Sequence, residues 1–542
     1  MRKKAFADVR MCRYGSVQII GTSSYLRILL SAHFHIFSLA HSLICTFPMR
    51  ILILFLSILF TFTACMKDDD YTVSANDRLA FSKDTVKFDT IISGLPTKTY
   101  SFAVYNHADK AIRIPRISLG KGGDSPFKVQ ADGSALQGGE ATDFEIARKD
   151  SMIVYLMANV PESGNVNPTD YKDELIFTTE AGVEQKVVLT ASGQDVKTLK
   201  ALRISHDTTL ESQIPYHVYD SLVVEKGATL TLAAGTRFLF HAKAELIVYG
   251  KLNIMGTVDA PVTLRGDRLD NMFQNQPYDR TPGLWEGVTI KEGSFDNNIT
   301  YADIHSANHG IRIDSTDVTR RALTIENSVI TTVTNHALDV RMANVFVGNC
   351  QITNAGGDCL HMRGGDVSLI HTTLGRFYVF TGGYGHALDF ANYEGEARLP
   401  IEKLEVSNSI ITGYQEDELM GDSSTVHKNT AFNYIFRNCL INTPRPTGLE
   451  NHFVNCLWDV KNKDASNTEE QIIRDKNFAP AFNTDHLLFT FELDSKSKAI
   501  GTADATITQQ YYPTDRLGRS RGDASDMGCY QHQQKDTSEK EQ

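Results

Sequence analysis

Four short stretches share one pattern: His309-Gly-Ile-Arg312-Ile-Asp314, His336-Ala-Leu-Asp339-Val-Arg341, Asp358-Cys-Leu-His361-Met-Arg363 and His386-Ala-Leu-Asp389-Phe-Ala391. Apolar and polar residues alternate in each, the period of a strand with one face buried. Ile311, Leu338, Leu360 and Leu388, with Ile313, Val340, Met362 and Phe390, then point inward. Arg312, Asp339, His361 and Asp389 form one outward column, with Asp314, Arg341 and Arg363 in the next. Strands stacked about 4.8 Å apart would set Asp339 and Asp389 roughly 9.6 Å apart with His361 between them. That is near the upper end of the roughly 6.5–9.5 Å at which two carboxyl groups activate water across a glycosidic bond by inversion. Asp339, His361 and Asp389 are therefore the candidate catalytic residues, and Arg312, Arg341 and Arg363 are suited to holding uronate or sulfate groups. The same alternation also suits an exposed sheet whose opposite charges pair across strands for solubility.

Such columns exist only if the strands stack, and the repeats require that. Leu323-Thr-Ile-Glu-Asn-Ser-Val-Ile returns 22 residues later as Val345-Phe-Val-Gly-Asn-Cys-Gln-Ile. This period is too long for a heptad and too rich in β-branched residues and Asn for helix pairs, so each copy should be one turn of a β-solenoid. The slot of Asn327 recurs as Asn349, His371, Asn408, Asn438 and Asn455, and Asp303 is expected to fill it one turn upstream. A polar residue at a recurring corner can satisfy backbone groups that leave the strand ladder there. Earlier, Val223 recurs as Ile247 after 24 residues, Leu230 as Leu252 after 22 and Phe238 as Val262 after 24, which implies three strands per turn. Gly227, Gly235, Gly250, Gly256 and Gly266 punctuate these strands as corners would.

From roughly Leu202 to Trp458 the chain resembles the right-handed parallel β-helix proteins, a group that includes pectate lyases and polygalacturonases. The resemblance implies an all-β fold and a groove for an extended glycan along one face. Gly357-Asp358-Cys359 is similar to the Gly-Asp-Asp-Cys of polygalacturonases, with the second Asp missing. No cofactor is expected. A lyase of this kind would use calcium, but the carboxylate ligands and catalytic basic residues of pectate lyases match no particular positions here.

Two loops interrupt the coils. Asp267 to Gly283 carries Asp270, Tyr278 and Arg280 and is followed by Trp285, all candidates for ligand binding. The second holds Phe377, Tyr378, Phe380 and Tyr384, whose rings either stack on sugars, with Tyr384 foremost, or pack beneath the loop. Cys350, Cys439 and Cys456 each follow a ladder asparagine and read as small core residues, with no metal site among the cysteines. The closing Thr514-Asp-Arg-Leu-Gly-Arg-Ser-Arg-Gly-Asp and Asp526-Met-Gly-Cys-Tyr resemble the end of secreted β-helix proteins. Asp515, Arg519, Arg521, Asp526 and Tyr530 are read as a cap over the open solenoid end.

Met49-Arg50, the apolar run Ile51 to Phe62 and Thr63-Ala64-Cys65 have the layout of a secretory signal. Cys65 resembles the lipidated cysteine of bacterial lipoproteins, and twelve apolar residues are too few to span a bilayer as a helix. Translation is expected to start at Met49, leaving residues 1–48 outside the protein. The expected order is a signal at 49–64, a lipidated tether at 65–77, an immunoglobulin-like β-sandwich at 78–196, the β-helix at 202–460, a capping segment at 470–531 and a tail at 532–542. In the sandwich, Tyr100 to Asn106, Ile112 to Leu119, Met152 to Ala158, Tyr171 to Thr178 and Glu184 to Ala191 read as strands.

The 542 residues carry a net charge of −11, which disfavours nucleic acid and anionic membranes as partners. The membrane would then be met only through lipid on Cys65, and Lys67-Asp68-Asp69-Asp70 resembles the acidic tag of lipoproteins exported to the outer face of some Gram-negative cells, which implies an outer-membrane, surface-exposed place. Three functions follow from these features: a binder of an extended polysaccharide or partner surface, which comes first; a polysaccharide lyase or glycoside hydrolase acting on an acidic or neutral glycan; and an adhesive stalk.

Overall fold

Asn327, Asn349, His371, Asn408, Asn438 and Asn455 all adopt left-handed backbone, with φ between 48° and 54°. Asparagine tolerates this conformation better than most residues because its short amide bonds locally. The rungs also bond to one another: the Asn349 amide donates to Asn327 Oδ1 at 2.7 Å, and Asn408 Nδ2 lies 3.1 Å from His371 Nε2. Upstream the slot belongs to Tyr301, at φ 48°, and not to Asp303. Asp303 is already on the next strand, paired with Val329, so the corner lies two residues earlier.

The computed structural model describes residues 70–273, 275–459, 477–478 and 483–533. The expected signal segment, Cys65 and most of the tail lie outside these residues. From Lys197–Ile204 to Leu457–Trp458, 26 strands form one continuous sheet in which each pairs in parallel with strands one turn away. This is a β-helix-like solenoid in an all-β chain. Val223 pairs with Ile247 and Leu230 with Leu252, as the repeats imply. Phe238 pairs with Leu264 instead of Val262, because the corner between these strands is longer in the second copy. The shift of two residues keeps the same side chains inward.

Inside the coils, Leu246, Val288, Ile311, Leu338, Leu360 and Leu388 form one stacked, fully buried column. Cys350 and Cys439 are buried and free, filling the core as small residues.

Preceding the solenoid is a sandwich of two five-stranded sheets. The five expected strands are present, joined by Thr85–Ile92, Phe127–Ala131 and Glu140–Ile146 among others. Phe88, Phe127 and Phe177 fill its core. Sandwich and solenoid belong to one compact unit.

The C-terminal segment, read from sequence as a cap over the open end, lies along the flank of the solenoid. Asp504 N–H donates to Asn408 Oδ1 at 2.7 Å, and Thr508 Oγ1 stands 2.8 Å from His371 Nε2. Tyr512 donates to Glu326 at 2.7 Å, Arg521 to Asn349 Oδ1 at 2.8 Å, and Tyr530 to Gln351 at 2.7 Å. With Asn438 donating to the Thr502 carbonyl, the segment straps five consecutive coils along the asparagine ladder. Gly348 lies beneath it because a Cβ there would stand 1.7 Å from the Tyr512 hydroxyl. Asp515 holds the strap's own turn, accepting Leu517 and Arg519 N–H at 2.8 Å each.

Arg521 is the buried tie, donating also to the carbonyls of Asp526 and Gly528. Arg521→Ala should cost about 2–3 kcal/mol, the scale of lost hydrogen bonds to a buried charged group. A urea midpoint equal to that of the unsubstituted protein would remove Arg521 from that role.

Candidate functional site

The four strands of the repeated pattern pair in register, Arg312 with Asp339, Asp339 with His361 and His361 with Asp389. Arg341 pairs with Arg363 in the adjoining column. Their inward neighbours are buried, so the outward residues form a rigid, partly exposed surface.

Most of its charges are already paired. His361 Nδ1 lies 2.8 Å from Asp339 Oδ1. Burial of Asp339 favours its neutral form, but the His361 hydrogen bond and the nearby His361, His336 and Arg312 outweigh it and hold the carboxyl below its ordinary value. Arg363 donates to Asp389 at 2.5 Å. Arg341 donates to Glu394 at 2.9 Å and to Ser315 at 3.0 Å. Arg312 donates to Thr289 at 3.2 Å and lies 3.8 Å from Glu245. His309, behind Thr289, is depressed to about 4, first by burial and then by Arg312.

The corner residues preceding these strands join the same surface. The His336 ring stacks on His361 with centroids 4.1 Å apart. Buried Asp358 turns one oxygen to His336 Nδ1 at 3.0 Å, and its other accepts the His386 backbone N–H at 2.6 Å. Burial opposes ionisation of Asp358, yet the bonds to His336 and His386 hold its carboxyl far below the usual range. The Asp358 carboxylate, 3.8 Å from His386 Nδ1, raises His386 in turn. Sequence reasoning did not count His336, Asp358 and His386 among the site residues, although they recur at one position of the aligned pattern. Their convergence depends on how corners stack, which strand alternation does not report.

The aromatic loop divides. Phe377 is buried against Phe478 and Phe491, whereas Tyr384 stays 61% exposed and meets His336 edge-on at 6.1 Å. The other loop does not reach the column. Trp285 is fully buried, stacked on Phe240 at 4.2 Å with its indole N–H on the His305 carbonyl, so it offers a ligand no surface. Arg268 binds Asp270 through two bonds of 2.7 Å and lies over Tyr278 at 3.7 Å. Lys98 of the sandwich is 3.4 Å from Asp270, and Arg280 donates to the His486 carbonyl at 2.9 Å. Asp270, Tyr278 and Arg280 thus fasten this loop to its surroundings.

Chemically, the column presents a histidine oriented by a carboxylate. No hydrogen bond among the described residues uses His361 Nε2, which leaves it available to take a proton. Inversion by Asp339 and Asp389 would need one of them protonated near neutral pH, yet Asp339 is held ionised and Asp389 is engaged by Arg363. The donors His336, Asp358 and His361, and Asp358, His386 and Asp389, form two groups whose atoms lie within 4.8 Å of one another. Such a mixture of imidazole and carboxylate does not fit calcium, which takes about six to eight oxygens.

No family model and no curated protein matches the chain. Among solved structures it is similar to a protein of unknown function from Porphyromonas gingivalis W83, at 7% identity over 24% of this chain and 50% of that one, TM-score 0.16. It is similar to the ASH/PapD-like domain of human CEP192, at 12% identity over 24% of this chain and 93% of that one, TM-score 0.16. A family 123 glycoside hydrolase from Clostridium perfringens is 7% identical over 22% of this chain and 30% of its own, TM-score 0.17. The chain spans half or less of the first and third. Likenesses this low carry no argument about activity.

Behind the column, buried Glu418 accepts the Ala387 N–H at 2.9 Å and the Gln415 N–H at 2.8 Å, and burial pushes its carboxyl up to about 7 from 4.5. The folded chain therefore binds one more proton than the unfolded chain between those values. The stability tied to Glu418 is fully present below about pH 4.5 and is lost as pH rises towards 7. Glu418→Gln should flatten this decline, which amounts to about 3 kcal/mol. Chemical denaturation across that pH range checks it, and an unaltered slope would exclude Glu418 as the source.

Proposed function

We propose that this chain is a cell-envelope lipoprotein, anchored through Cys65 at the outer membrane and exposed at the surface, whose pectate-lyase-like β-helix binds an extended acidic polysaccharide. An immunoglobulin-like sandwich lifts the solenoid off the membrane. The observation that carries the reading is the register of Arg312, Asp339, His361 and Asp389 with Arg341 and Arg363 beside them on one rigid face. Repeating charges at the spacing of stacked strands suit a repeating polymer, and preorganised side chains lose little freedom on binding. Arg312 and Arg341, each more than 40% exposed, supply cationic groups, and Tyr384 supplies an exposed ring.

A second reading is favoured by the Asp339–His361 pair. His361 Nε2 would take the proton beside a uronate carboxylate, the C–H electrons would form the new double bond, and the glycosidic C–O bond would break as its oxygen takes a proton from water. Asp339 positions the imidazole in that scheme, and Arg312 or Arg341 faces the carboxylate.

Incubation with a panel of acidic and neutral polysaccharides separates the readings. Retention of an acidic glycan without new unsaturated ends supports the binder, and new unsaturated ends support the lyase. Neither result would leave only an adhesive stalk. Arg312→Ala combined with Arg341→Ala should weaken retention of an acidic glycan at least tenfold, or about 1.4 kcal/mol, and undiminished retention would take this face out of binding. Where turnover is found, Asp339→Asn should abolish it with melting nearly unchanged, and a full-rate variant would remove Asp339 from the mechanism.

A further inference from the structure

We infer that His217, His241 and Asp267 form a site for a divalent transition metal of the zinc class, open to a cavity between the sandwich and the first coils. These residues lie apart from the charged column. His217 sits within the strand Tyr216–Val224, while His241 and Asp267 directly follow the strands Arg237–Phe240 and Val262–Gly266. Phe240 pairs with Gly266, so His241 and Asp267 are successive corners of adjacent coils. Both corners are fixed by backbone bonds of 2.9 Å, His241 N–H to the Val218 carbonyl and Asp267 N–H to the Phe240 carbonyl.

Three donor atoms converge there. His217 Nε2 and His241 Nδ1 lie 3.0 and 2.7 Å from the same oxygen, Asp267 Oδ2. Three ligands placed tetrahedrally at about 2.0–2.1 Å from zinc stand about 3.3 Å apart, so an ion would require only a small outward shift. Tyr219 packs against both imidazoles, with centroids at 4.4 and 4.8 Å, which holds their planes. Asp267 receives no other side-chain hydrogen bond among the described residues. Its counterparts on the column are committed, Asp358 to a backbone N–H and Asp389 to Arg363.

His217 is almost wholly enclosed, but His241 and Asp267 line a cavity of about 280 Å³ with Lys98, Tyr100, Arg268 and Asp270. Three protein ligands with the fourth position facing a cavity is the layout of a zinc centre that exchanges a ligand, in contrast to a closed structural one. Two imidazoles and one carboxylate favour a first-row transition ion over calcium or magnesium.

Crystals soaked in zinc chloride should give an anomalous peak at the zinc absorption edge within bonding distance of His217 Nε2, His241 Nδ1 and Asp267. In solution, a His336→Ala, His386→Ala background silences the column, and the remaining zinc affinity should fall at least a hundredfold on adding His241→Ala. Calcium and magnesium should not compete. His241 is about half exposed, so this variant is expected to fold, as melting without zinc checks. A soaked crystal with no peak at these three residues, or zinc affinity unchanged by His241→Ala, would overturn the assignment.

Discussion

Each coil of the solenoid can remove its aliphatic side chains from water only by laying them on the coils above and below. Every rung must therefore keep its inward residues in register with its neighbours, as Ile311, Leu338, Leu360 and Leu388 do. Burying them is worth about 1.5–3 kcal/mol per side chain, which leaves little tolerance for a slip of one residue. The outward columns are a by-product of that requirement. Residues separated by more than 20 positions in the chain become vertical neighbours because the aliphatic residues beside them have nowhere else to go.

This constraint explains what could be read from residue types. Alternation placed Arg312, Asp339, His361 and Asp389 on one column, and the left-handed corners appear at the asparagines from Asn327 to Asn455. The misreadings occurred at corners. Tyr301 occupies a left-handed rung without being Asn or Gly, so its type gives no sign of it, and a longer corner moved the partner of Phe238 from Val262 to Leu264. His336, Asp358 and His386 gather for the same reason, since corner geometry and not period decides where they point. Trp285, a ligand-binding candidate by its type and place after a loop, is instead buried with its indole against Phe240.

Electrostatics on the column follows from its closeness. Stacked side chains a few ångströms apart cannot remain unpaired, so carboxylates found histidines or arginines as partners, and the surface is ordered before any ligand arrives. Such ordering suits recognition. It also presents His361, whose outer nitrogen has an orienting carboxylate behind it and no hydrogen-bond partner among the described residues.

The flank strap alters the behaviour of what would otherwise be a quasi-one-dimensional array. In an unstrapped solenoid each coil interacts only with its neighbours, so the last coils can fray independently. Here Tyr512 reaches back 186 residues to Glu326 and Arg521 reaches back 172 residues to Asn349. During synthesis the central coils must therefore wait, with their polar edge uncovered, until the final stretch of chain leaves the ribosome. A nonsense codon shortly before that stretch would deprive windings more than a hundred residues upstream of their lateral partners.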